Sequence, residues 1–221
     1  AEKVLAVLAQ PHQLDNNHHM STTSIGVTLF GDHPESIEEP LKRADMAMYQ
    51  AKAAGRNTVR FFDPSMHRAI AERASLEKDL HAALAQGQFK LVYQPQVAMG
   101  GKSYGAEALV RWLHPVRGQV SPAEFIPLAE ETGLILPLGQ WVLESACTQL
   151  AAWAGQPEMA HMAVAVNVSP RQFHQADFAD QVLATLQRTG ANPLRLKLEL
   201  TEGMLVSNVE DVIAKMARLK S

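Results

Sequence analysis

The chain has 221 residues, 47% of them hydrophobic and 19% charged, with a formal net charge of −3. That composition is a globular protein's, and the weak negative charge removes any electrostatic case for a nucleic-acid polymer as partner. No apolar run reaches the roughly 18–20 residues that span a bilayer, and the opening AEKVLAVLAQ, without a basic leader, is not expected to be a signal peptide.

In chain order, Val4, Leu5 and Leu8 suit the end of an amphipathic helix. His18 and His19, in DNNHHM, read as a polar loop, because adjacent side chains of an extended segment point apart and no nearby carboxylate completes a metal set. Ser24 to Phe30 is a strand candidate that Gly31-Asp32-His33-Pro34 would end. Ser36 to Ala54 reads as helix, with Leu41, Ala44, Met48 and Ala51 at helical spacing and Gly55 as a stop. A short strand follows at Thr58 to Phe62. Asp63 and Pro64 are an N-cap and a first-turn proline. They open a helix striped by Met66, Ile70, Leu76, Leu80 and Leu84, which Gly87 ends.

From there the pattern alternates. Strands are expected at Phe89 to Gln94, Tyr104 to Trp112, Met162 to Val168 and Leu194 to Leu200. Helices are expected at Pro122 to Glu131, Gly139 to Trp153, Phe178 to Thr189 and Val209 to Leu219. Such alternation predicts a parallel α/β architecture. The single cysteine, Cys147, lies among apolar residues and reads as a core thiol; it is compatible with a reducing cytoplasm.

Three residues stand out at or near strand ends: Glu107 in GAEALVRW, Asn167 in AVAVNVS and Glu199 in LKLELTE. Three hard oxygen donors suit magnesium or manganese better than zinc. Strand alternation puts Gly105, Glu107, Leu109 and Arg111 on one face, and Arg195, Lys197 and Glu199 on one face of their own strand. Such a charged inner face is costly unless something pairs it, as a metal and an anionic substrate would. The bland alternatives are a Glu107–Arg111 pair and a turn-forming Asn167.

The words YQP at 93–95, EAL at 107–109, NVS at 167–169 and ELTE at 199–202, in that order, resemble the EAL family of cyclic di-GMP phosphodiesterases from Leu76 to Ser221. The words SIGVTLF and ADMAMYQAKAAGRN resemble the carboxyl-terminal end of a GGDEF diguanylate cyclase domain, although Gly-Gly-Asp-Glu-Phe itself occurs nowhere in the sequence. The resemblance implies a GGDEF-type α/β segment over 1–62, a connecting helix over 63–75, and an EAL-type (β/α)8-like barrel over 76–221. A barrel of this kind needs about 250 residues, so the one here is expected to be incomplete.

What the resemblance implies for function is hydrolysis of cyclic di-GMP to linear pGpG by two divalent ions. Glu107, Asn167 and Glu199 are then ligands of magnesium or manganese, and Glu202 braces a supporting loop. Gln94, Leu109, Arg111, Pro122 and Phe125 are substrate contacts, the last two as a wall beside a guanine. Lys52 and Arg56 occupy positions that hold nucleotide phosphates in cyclases. The rival expectation is a degenerate cyclic di-GMP receptor. A cytoplasmic location and self-association are further expectations.

Overall fold

The structure is a computed structural model that describes residues 1–14, 17–19, 21–30, 36–200 and 209–220. It divides into two compact units, Ala1–Ser75 and Leu76–Ser221. Among the described residues no helix is long and apolar enough to cross a membrane.

In the first unit, helix Glu2–Leu8 (α1) precedes strands His12–Leu14 (β1) and Asn17–His19 (β2). These two pair antiparallel, with His12 opposite His19. The loop expected at His18 and His19 is therefore a strand; three polar residues carry no apolar alternation to announce it. Strands Ile25–Val27 (β3) and Val59–Phe61 (β4) pair parallel. Helix Glu38–Ala53 (α2) packs on β3 at Gly26, where a Cβ would lie 2.0 Å from the carbonyl oxygen of Ala44. Only glycine allows that approach. The expected end of this strand, at 31–34, lies outside the described residues. Helix Ser65–Ala85 (α3) starts as its sequence dictates: the Asp63 carboxylate accepts from the Ser65 amide at 2.8 Å, and hydrogen bonding to the Ser65 side chain first, then to this amide, holds that carboxyl below its ordinary range.

The second unit is built on a five-stranded sheet. Strands Phe89–Val97 (β5) and Ser103–His114 (β6) pair antiparallel, and the short Gly118–Val120 (β7) adds antiparallel to the end of β6. Helices Pro122–Thr132 (α4) and Ile135–Ala154 (α5) lead to strand Ala163–Asn167 (β8), which pairs parallel with β6. A four-residue helix Pro170–Phe173 (α6), helix Phe178–Thr189 (α7) and a 3-10 turn at Pro193–Arg195 lead to strand Leu196–Glu199 (β9), parallel to β8. Helix Val209–Lys220 (α8) follows.

One sheet face is apolar. Ala106, Ala108 and Trp112 of β6 and Val164 and Val166 of β8 are buried in a core shared with α4, α5 and α7. The Trp112 indole finds its polar partner in Gln88, at 2.8 Å. The other face carries the polar side chains. The sheet among the described residues is open, with β5 at one edge and β9 at the other. This is the mixed α/β fold with an unclosed barrel that the resemblance implies, and β5 and β7 both run antiparallel to β6.

Candidate functional site

Cross-strand partners point to the same face of a sheet, and so do residues two apart on one strand. Gln94 of β5 is opposite Glu107 of β6, Glu107 is opposite Ala165 of β8, and Asn167 is opposite Glu199 of β9. The register therefore gathers Gln94, Glu107, Asn167 and Glu199 on one face across four strands. The Asn167 amide nitrogen donates to a Glu107 carboxylate oxygen at 2.6 Å. Gln94 and Asn167 are exposed, while Glu107 and Glu199 are half-buried. Two carboxylates and one amide oxygen form a donor set suited to a hard divalent cation, with no thiolate or imidazole to favour zinc.

Arg111 does not pair with Glu107; its guanidinium donates to the Val110 carbonyl at 2.8 Å. It lines a cavity of about 360 Å³ whose wall also includes Leu109, Pro122, Ile126, Leu138 and Asn167. The wall is mostly apolar with a few polar groups, as ligand sites usually are. Phe125 is elsewhere. It is fully buried against Phe89 and Trp112, so its position on α4 serves packing rather than a cavity wall. Helical spacing explains this: Pro122 and Ile126 share the cavity side of α4, and Phe125 lies off that side.

The charged face of β9 is also partly satisfied from within. Lys197 lies over the Tyr104 ring, 4.7 Å from its centroid. Arg195 falls in the 3-10 turn before the strand and donates to the His161 carbonyl at 2.7 Å, so it does not join the Glu199 face. Glu202 lies outside the described residues. In the first unit, Lys52 is in the last turn of α2, and Arg56 is in the turn beyond it with a φ of 63°. Both are exposed.

Reading the sequence for strands and long helices misses β7 and α6. The signal for α6 is present in Ser169-Pro170: the Ser169 hydroxyl accepts from the Gln172 amide at 3.2 Å, and Pro170 takes the first helical position.

Compared with known proteins, residues 77–221 match the EAL domain model and residues 1–58 match the model for the diguanylate cyclase, GGDEF domain. The chain belongs to the EAL domain family. Its opening residues are a GGDEF-type segment placed ahead of that EAL domain, the tandem order the sequence predicts. The whole chain aligns at 40% identity with an uncharacterized signaling protein of Caulobacter vibrioides, covering 27% of it. It aligns at 38% with the bifunctional diguanylate cyclase/cyclic di-GMP phosphodiesterase MucR of Pseudomonas aeruginosa, covering 32% of that protein. A solved structure of the PaMucR phosphodiesterase in complex with c-di-GMP is 39% identical and superposes with a TM-score of 0.64; the match covers 66% of this chain and 59% of that one. The chain thus spans about a quarter to a third of the length of these curated relatives.

Proposed function

We propose that this EAL domain belongs to a phosphodiesterase that hydrolyses cyclic di-GMP to linear pGpG in bacterial second-messenger signalling. The observation that carries the reading is the Gln94, Glu107, Asn167 and Glu199 face, with Asn167 hydrogen-bonded to Glu107 at 2.6 Å. It borders a cavity of about 360 Å³ that shares Asn167 in its wall. Membership of the family and 38% identity to MucR support the substrate class.

In this reading Glu107, Asn167 and Glu199 hold magnesium or manganese. The chemistry supplied by such an ion, when bound, is stabilisation of negative charge on the phosphate and a lowered pKa for water. The chain's own residues bind and orient the dinucleotide. Leu109 and Pro122 offer an apolar wall to a base, Gln94 a hydrogen bond, and Arg111 a guanidinium that can swing from the Val110 carbonyl to a phosphate. We read residues 1–62 as the GGDEF-type segment, 63–75 as connecting helix and 76–221 as the EAL-type segment.

The test is incubation of the full-length protein with cyclic di-GMP and manganese or magnesium, with products separated by chromatography. Linear pGpG is expected. Tight binding of cyclic di-GMP without turnover would overturn the hydrolase reading in favour of a receptor.

A further inference from the structure

Asn167 ends β8, and the chain enters α6 three residues later. A helix of four residues has too few internal hydrogen bonds to hold itself. This one is held from outside at each of its last three residues. The Arg171 guanidinium donates to the carbonyls of Glu130 and Glu131, at the end of α4. Gln172 is buried against α5, its amide so close to Gly139 that a Cβ there would lie 2.3 Å from the side-chain oxygen. The Phe173 carbonyl accepts from the Lys215 ammonium of α8 at 2.9 Å, and the same ammonium lies 5.5 Å from the Phe173 ring centroid.

Lys215 is the informative member. It is only 7% exposed, and a buried cation is costly without close compensation. The Phe173 carbonyl and the Phe173 ring supply part of it. On the other side of Asn167, the Val168 amide donates to the Glu199 carbonyl at 3.0 Å and fixes the β8 end to β9.

We infer that α6 is the positioning element of Asn167, with Arg171 and Lys215 as positioning residues that act through it. Three helices, α4, α5 and α8, converge on α6, which begins three residues after Asn167. The inference rests on Asn167 being a ligand of the divalent ion. Outer partners that orient a ligand typically change metal affinity by about 10–100-fold when removed.

The experiment measures manganese binding to the full-length protein by electron paramagnetic resonance, without substrate, alongside the thermal midpoint of each variant. Arg171 is exposed, so Arg171→Ala should fold normally and weaken manganese binding by about tenfold. Arg171→Lys should restore part of the loss. Lys215→Met should weaken binding by a similar factor; if it fails to fold, Arg171→Ala decides alone. In an Asn167→Ala background, Arg171→Ala should cause no further loss, because the residue acts through Asn167. An equal loss in both backgrounds would show a merely structural role and overturn the inference. So would full manganese affinity in folded Arg171→Ala when Glu107→Ala has lost it. Unchanged affinity in Glu107→Ala would instead remove the metal site and the inference with it.

Discussion

At the scale of single residues, Glu107 carries the sharpest expectation. It is opposite Gln94, accepts from Asn167 and is only half-buried, so its loss removes a carboxylate without opening a core cavity. Glu107→Ala should abolish manganese-dependent hydrolysis in the full-length protein and leave the circular dichroism spectrum unchanged. Near-normal turnover would remove Glu107 from the site. Arg111→Ala should mainly raise KM, because a phosphate contact made in ground and transition states is uniform binding. Cys147 gives a different test. It is fully buried in α5, and burial pushes its thiol up to about 11; burial, with Cys147 nearby, pushes the Tyr93 phenol up to about 12. Both folded values are above those of the free groups, about 8.5 and 10. Their contribution to stability is therefore complete below about pH 8.5 and is lost as pH rises toward the folded values. The urea midpoint should fall across that window, and Cys147→Ala should remove the part of the decline that begins below pH ~10.

At the scale of elements, short helix starts matter because they place the cavity wall. The Ser121 hydroxyl accepts from the Ala123 amide at 3.3 Å, capping α4 just where Pro122 faces the cavity. Ser121→Ala should lower stability by about 1 kcal/mol, read from the urea midpoint at constant slope. The long elements were legible in the sequence for physical reasons. Helix α7 is found at Phe178–Thr189 where it is expected, and β6 carries Glu107 on the face that alternation assigns. What was not legible depends on tertiary contact. Helix α6 exists because Arg171, Gln172 and Phe173 each meet a different helix, and β7 exists because β6 offers it an edge. Arg195 left its expected face when the chain turned into a 3-10 helix before the strand began. The resemblance places Phe125 at the wall, whereas the rotation of α4 puts it in the core.

At the scale of the whole molecule, the two units make different expectations. The first pairs β3 with β4 behind α2, and Gly-Gly-Asp-Glu-Phe is absent from the sequence. Incubation of the 221-residue chain with GTP and magnesium should yield no cyclic dinucleotide above a no-protein control. The second unit presents a sheet whose edge strands β5 and β9 each have one partner among the described residues. Parallel strands are normally covered on both faces, and an open edge offers unpaired backbone groups to another chain. The β9 edge adjoins Glu199, so whatever pairs with it would also complete the polar face. In the proposed reading, two-ion hydrolysis needs more ligands than the three that Glu107, Asn167 and Glu199 would supply. The 221-residue chain alone should therefore self-associate and be inactive toward cyclic di-GMP. Light scattering at several concentrations should show an apparent mass that rises with concentration, while a parallel hydrolysis assay shows no pGpG. A monomer at every concentration that still hydrolyses the dinucleotide would mean that these strands satisfy both their edges and the reaction without a partner.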